Sequence, residues 1–148
     1  MKSVFLGADH AGFKIKEAVK KYLEGKNFVV HDLGAKKLDE NDDYPDFAFS
    51  VAEAVSESKD GMGILFCGSG QGMCVTANKV KGIRAVVAST PKDTLLSRQH
   101  LNSNVLCLSG WNTNYKKAIQ LVSLWLKTPF SEAARHNRRL KKIAKLER

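Results

Sequence analysis

The sequence predicts an α/β fold of three layers, with helices covering both faces of one five-stranded parallel sheet. Three observations predict it. Strand-length apolar runs alternate along the whole chain with longer segments of helical period. Five such alternations occur, and parallel strands need helical crossovers of this kind. At 148 residues, with 43% hydrophobic content and only three prolines, the chain fits one ordered domain over 1–148 with a core of its own.

Val4 to Ala8 is a short apolar run and reads as the first strand. Phe13 to Leu23 follows as a helix, with Phe13, Ile15, Ala18, Val19, Tyr22 and Leu23 as its apolar positions. Phe28 to Leu33 is the second strand. The polar stretch Lys36 to Asp43 is a loop, and a helix opens just after Pro45, over Asp46 to Ser58. Gly61 to Phe66 is the third strand and Gln71 to Lys79 the third helix. Arg84 to Ala88 and Val105 to Ser109 are the last two strands, joined by a helix from about Thr90 to His100. Tyr115 to Lys127 is the fifth helix. Thr128-Pro129 breaks it, and a C-terminal helical extension runs over about 131–146. The winding is Rossmann-like. In open sheets of this kind ligands bind beyond the carboxyl ends of the strands, which here supply Asp9 and His10, Cys67 to Gly72, Ser89-Thr90 and Ser109-Gly110.

The net charge of +9 invites a nucleic-acid reading, but its distribution argues against one. Eight of the basic residues and two acidic ones fall between Lys127 and Arg148, without interleaved aromatics or a nucleic-acid motif. A solvated helix face accounts for them. No apolar run approaches the roughly 20 residues that span a bilayer, and Met1 to His10 meets a charge too early for a signal peptide. Three cysteines form neither a disulfide framework nor a zinc spacing, so the expected setting is reduced and cytoplasmic, with no membrane partner.

Cys67-Gly68-Ser69-Gly70-Gln71-Gly72 is the stretch that carries chemistry. A thiol ends an apolar strand, glycines alternate behind it, and a helix follows. Such a loop can turn several amides toward one anionic oxygen, and the helix N-terminus adds positive potential that favours a thiolate at its lip. The glycine spacing places Met73 where a dinucleotide fingerprint needs its third glycine, and the Lys-Ser/Thr of a P-loop is missing. An oxyanion site beside a thiol is what survives. Cys74 and Cys107 read as core residues, and His31 as a structural one in a strand. Asp9 either caps the first helix or, with His10, meets a sugar hydroxyl and an anion at the crevice rim. Arg135 and Arg139 share one helix face, a spacing that suits a phosphate.

Together these residues resemble a known family. Gly7-Ala8-Asp9-His10-Ala11-Gly12, Asp43-Tyr44-Pro45, Cys67 to Gly72, Ala77-Asn78-Lys79, Gly82-Ile83-Arg84-Ala85, Ser97-Arg98-Gln99-His100 and Arg135-His136-x-x-Arg139 are similar to the type B ribose-5-phosphate isomerases and the related galactose-6-phosphate isomerase subunits. The resemblance implies a metal-free aldose–ketose isomerase without a cofactor, acting on a phosphorylated sugar. It implies Cys67 as the base moving a proton between C1 and C2, Ser69 as the acid partner, and the amides around Gly68, Gly70, Gln71 and Gly72 as holders of an enediolate. It further implies His100 in ring opening, Asp9 and Tyr44 on the sugar, and His10, Arg135 and Arg139 on the phosphate. Relatives of this kind are homodimers or tetramers, with His100 serving the Cys67 of a second subunit. Two positions depart from the family pattern. Leu101, then Asn102, follow His100 where an asparagine usually comes first, and Trp111 stands where an arginine commonly follows Gly110. These three residues bear on which sugar is taken. Ribose 5-phosphate is the expected substrate; a six-carbon phosphate such as galactose or allose 6-phosphate, or a weakly catalytic sugar-phosphate-binding subunit, are the alternatives.

Overall fold

A computed structural model describes residues 1–148. Strands β1 (Lys2–Ala8), β2 (Phe28–Asp32), β3 (Met62–Cys67), β4 (Ala85–Val87) and β5 (Val105–Ser109) form one parallel sheet in the order β2-β1-β3-β5-β4. Helices α1 (Phe13–Glu24), α2 (Tyr44–Glu57), α3 (Gln71–Ala77), α4 (Pro91–Leu101) and α5 (Tyr115–Lys127) join and follow the strands, and α6 (Ala134–Ala144) closes the chain. The three-layer α/β architecture read from the sequence is the one observed. No helix is long and apolar enough to cross a membrane.

Two hydrophobic cores sit on the two faces of the sheet, and β3 divides its side chains between them with the period of two a strand imposes. Met62, Ile64 and Phe66 join Val19 and Leu23 of α1 and Leu121 and Trp125 of α5. Leu65 and Cys67 face the other way, onto Val51 of α2 and Met73 of α3. Every residue of β3 is therefore buried. The direction of winding reverses between β1 and β3, and such a reversal opens a crevice at the carboxyl ends of the two strands. The loops leading to α1 and α3 part there.

Helix boundaries shift for local reasons. Helix α2 begins at Tyr44, ahead of the expected Asp46, because a proline in the first turn lacks only an N–H that has no partner there. The last helix begins at Ala134, since Glu132 takes a φ of 58° in the left-handed region and cannot be helical. Asn102 also lies in that region, with φ 46°, and stops α4 as asparagines can.

The loops at the crevice are pinned to one another. Asp9 donates its amide to the Phe66 carbonyl (3.2 Å), Gly110 to that of Cys67 (2.7 Å) and Trp111 to that of Gly68 (3.1 Å). Gly110 is packed so closely that a Cβ on it would run into the Ala11 carbonyl, a backbone atom that cannot swing aside. Gly110→Ala should therefore cost about 3 kcal/mol through overpacking. Calorimetry should show the melting temperature falling by roughly 6–12 °C; an unchanged melting temperature would mean that this loop yields.

Candidate active site

Cys67 is the last residue of β3 and, on the α2–α3 side of the sheet, is only 4% exposed. The thiol expected at the lip of a loop is thus covered by strand alternation. Its Sγ accepts the Gly70 amide at 3.2 Å. Gly70 makes this possible by taking φ 81°, a conformation that suits glycine, and so bends the chain back over the sulfur before α3 begins. The Gln71 amide is taken by Ser69 Oγ at 3.2 Å. The amides of Gly68, Ser69, Gly72 and Met73 donate to no protein acceptor. A thiol thus stands beside a turn of unclaimed N–H donors, the arrangement that stabilises an oxyanion.

Two aromatic rings flank the turn. A Cβ added to Gly68 would overlap the Trp111 indole, and one added to Gly72 the Tyr44 ring. The glycines are what let these rings lie on the backbone. Trp111 is 74% exposed and Tyr44 is also exposed, so each ring that lies on the turn also keeps surface open to solvent.

Asp9 and His10 follow β1 on the neighbouring side. Asp9 is not the helix cap, a position that Gly12 fills. Its Oδ1 accepts the amides of Ala11 (3.0 Å) and Gly12 (3.2 Å), which ties the turn into α1. Burial pushes the Asp9 carboxyl above its ordinary range, against those two amides, which favour the charged form. His10 is met by Asp42, whose Oδ1 accepts both the His10 amide (2.9 Å) and its Nδ1–H (2.8 Å). Hydrogen bonding to Asp42 raises the His10 pKa. Nothing in the sequence marks Asp42, which lies 32 residues away in a polar loop. That loop is anchored from inside: fully buried Lys16 bonds both carboxylate oxygens of Asp32 (3.0 and 2.9 Å) and the Ala35 carbonyl (2.9 Å). The ligating atoms of Asp9, His10 and Asp42 lie within 4.8 Å of one another, but the contacts just described join them as a hydrogen-bonded cluster, and we assign them no cation.

The remaining candidates stand at the other pole of the sheet. Helix α4 runs back from the carboxyl end of β4, so His100, Leu101 and Asn102 reach the level where β5 starts. There the Asn104 carbonyl accepts from Gly63, at the beginning of β3. Counted along β3 from Gly63, this level lies about 13 Å from Cys67. Helix α6 starts at the same pole: Ser131 donates its amide to Gln99, and the His136 ring lies 4.3 Å from that of His100, centroid to centroid. His136, whose role the sequence leaves open, is 4% exposed, and its Nδ1 pairs with Ser131 Oγ at 2.6 Å. Burial, then the charges of His100, Arg135 and Arg139, lower its pKa. Arg135 and Arg139 are exposed on α6. Asn102 is occupied structurally, its Oδ1 accepting from Arg98 and its carbonyl from Arg84. One chain therefore carries two clusters. Asp9, His10, Tyr44, Cys67 to Gly72 and Trp111 form one, and His100, Leu101, Asn102, Arg135, His136 and Arg139 the other.

The other cysteines stay in the α3–β5 core. Cys74 donates to the Ala85 carbonyl, and its neighbour Cys107 lowers its pKa to about 7 through a hydrogen bond. Burial pushes the Cys107 thiol up.

Residues 4–143 match the family model described as Ribose/Galactose Isomerase. The probable ribose-5-phosphate isomerase B of Mycoplasma genitalium is 45% identical over 147 residues, which cover 99% of this chain and 96% of that protein. The ribose-5-phosphate isomerase B of Escherichia coli strain K12 is 39% identical, with 99% and 97% covered. Among solved structures, ribose-5-phosphate isomerase B from M. genitalium with bound ribulose-5-phosphate has a TM-score of 0.93 at 43% identity, over 97% of this chain and 95% of that one. The type B ribose 5-phosphate isomerase of Trypanosoma brucei has a TM-score of 0.94 at 39% identity, over 99% of both chains.

Proposed function

The chain belongs to the ribose/galactose isomerase family, and from that membership and the site geometry we propose that it interconverts ribose 5-phosphate and ribulose 5-phosphate. The observation that carries the substrate is ribulose-5-phosphate bound to a relative that overlays at a TM-score of 0.93. The site supports the chemistry. Isomerisation needs one base, one acid and a place for negative charge on O1 or O2. Cys67, as thiolate, takes the proton from C2 of the open-chain aldose. The electron pair shifts to form the C1–C2 double bond while charge gathers on the former carbonyl oxygen. The unclaimed amides of Gly68, Ser69, Gly72 and Met73 face that charge. Ser69 moves a proton between O1 and O2, and Cys67 returns its proton to C1, which leaves the ketose. No electron leaves the substrate, so the step calls for no redox cofactor.

Substrate binding divides between the two clusters. Asp9 and Tyr44 hold sugar hydroxyls, and the exposed Trp111 ring stacks against the sugar. His10 meets the phosphate from the crevice side. His100, Arg135 and Arg139 stand at the far end of their own sheet, about 13 Å along β3 from Cys67, and do not meet the same molecule. They come from a second copy, whose opposite pole meets this crevice in a homodimer. There the His100 imidazole opens the sugar ring, and the two guanidinium groups grip the phosphate. Gripping the distant phosphate fixes C1 and C2 against Cys67.

An assay of ribose, ribulose, allose and galactose phosphates, run in EDTA, tests this reading. Ribose 5-phosphate should be turned over with the highest kcat/KM. Preference for a six-carbon phosphate would correct the substrate, and turnover of none by a folded oligomer would refute the enzyme.

A further inference from the structure

Asp42 binds one histidine twice and leaves its other oxygen with nothing. Its Oδ1 accepts the amide and the Nδ1–H of His10 at 2.9 and 2.8 Å. Its Oδ2 is buried and has no donor at all. The Asp42 side chain is 9% exposed, whereas that of His10 is 39% exposed. A buried carboxylate oxygen without a donor is costly, and such groups persist where something other than stability retains them. Of its neighbours, the imidazole it holds is the one that can bring it a positive charge, since Asp9 in the same cluster is also a carboxylate. The double contact also settles how that ring is held. Nδ1–H points inward to the carboxylate, so Nε2 is turned away from Asp42.

We propose that Asp42 is a positioning residue that keeps His10 an imidazolium with its Nε2–H offered to the substrate phosphate. This rests on the reading of His10 as a phosphate ligand. Carboxylate behind, imidazole between and anion in front is the order in which a histidine gains a proton on both nitrogens and becomes a charged donor. The surroundings agree. Glu40 on the same loop, Asp9 beside the ring and Asp42 itself all favour the cation. Lys14 of α1 and Tyr115 of α5 line the same cleft; of these, Lys14 opposes the cation, and so do the partner subunit's Arg135 and Arg139 in the proposed dimer. Buried Lys16 holds the start of the loop that carries Asp42, through Asp32 and Ala35.

Asp42→Asn keeps an oxygen for both His10 donors and removes only the charge. It should raise KM for ribose 5-phosphate about tenfold at a pH between the two His10 midpoints, the loss of one charge-assisted contact. The effect on kcat should be small, because Cys67 is untouched. The KM ratio of variant to wild type should shrink as pH falls, since His10 is then protonated in both proteins. Substrate phosphate titrates identically with either enzyme and cancels in the ratio. An independent readout is the His10 ring titration, followed by NMR in the unliganded protein. Its midpoint should lie above the ordinary histidine value in the wild type and lower in Asp42→Asn. Asp42→Ser supplies the same neutral contrast should the asparagine variant fold poorly.

His10→Ala separates the inference from its premise. If that variant raises KM but Asp42→Asn leaves both KM and the His10 midpoint unchanged, Asp42 has only a structural role and the proposal fails alone. If His10→Ala leaves KM unchanged, the phosphate role of His10 fails and the proposal falls with it. A midpoint that drops together with a pH-dependent rise in KM supports both.

Discussion

Cys67→Ala is expected to lower kcat by about 10³- to 10⁴-fold, the contribution of a positioned general base. Binding of a phosphorylated sugar alcohol, which has no carbonyl to isomerise, should stay within about twofold, because the phosphate and hydroxyl contacts lie on other residues. The fold should tolerate the change. Cys67 is buried at a strand end, and removing one sulfur leaves a small cavity worth about 1 kcal/mol. The measurement that isolates the base is proton exchange. Incubated in deuterium oxide, the wild type should wash solvent deuterium into the carbons of the substrate, and Cys67→Ala should not. Cys67→Ser should resemble the alanine variant, since a hydroxyl in the same place accepts the Gly70 amide but is a far weaker base. Turnover by Cys67→Ala within tenfold of wild type would assign proton transfer elsewhere, with Asp9, whose carboxyl burial pushes up, the next group to test.

What could be read in the sequence follows from how local each feature is. The β3 run and the glycine loop behind it are contiguous, and their chemistry depends on neighbours within a few residues: the Gly70 amide reaches Cys67 across three positions. Pattern alone therefore pointed to the thiol and the glycine loop at a strand's carboxyl end, while the place of that crevice between β1 and β3 needed the strand order. Strand order was not local: β5 lies between β3 and β4, and those pairings join segments far apart in the chain. Asp42 was invisible for the same reason. A polar residue in a polar loop carries no period, and its meaning appears only when Lys16 and Asp32 fold the loop against His10. The role of His136, set among arginines, was not readable until its ring met that of His100. The largest gap concerned grouping. The residues alone do not say which of them share a site; only the resemblance implied that His100 serves a second subunit's Cys67. The physical reason for that division is that the helix that ends at His100 runs antiparallel to the strand that ends at Cys67.

That division makes a prediction with an unusually large signal. Cys67→Ala and His100→Ala should each be nearly inactive as pure proteins. Refolded or co-expressed together in equal amounts, they should recover about a quarter of wild-type activity, because in a symmetric dimer the two poles of each copy serve different sites. Half of the dimers are then mixed. Each mixed dimer holds one site with both residues intact and one with both lost. A site completed within a single chain would give no recovery, as every subunit would lack one of its own residues. A converse mixture guards against misleading gains from improved folding. Adding the double variant Cys67→Ala/His100→Ala to wild type should depress the activity per wild-type chain, since each mixed dimer pairs an intact Cys67 with an absent His100 and an intact His100 with an absent Cys67. If Cys67 and His100 worked within one chain, the wild-type subunit in such a dimer would keep its site and its activity. Recovery in the first mixture together with suppression in the second requires that the crevice of one subunit be closed by the α4–α6 pole of another. Failure of both would mean that no second copy completes the crevice, and would overturn the shared site.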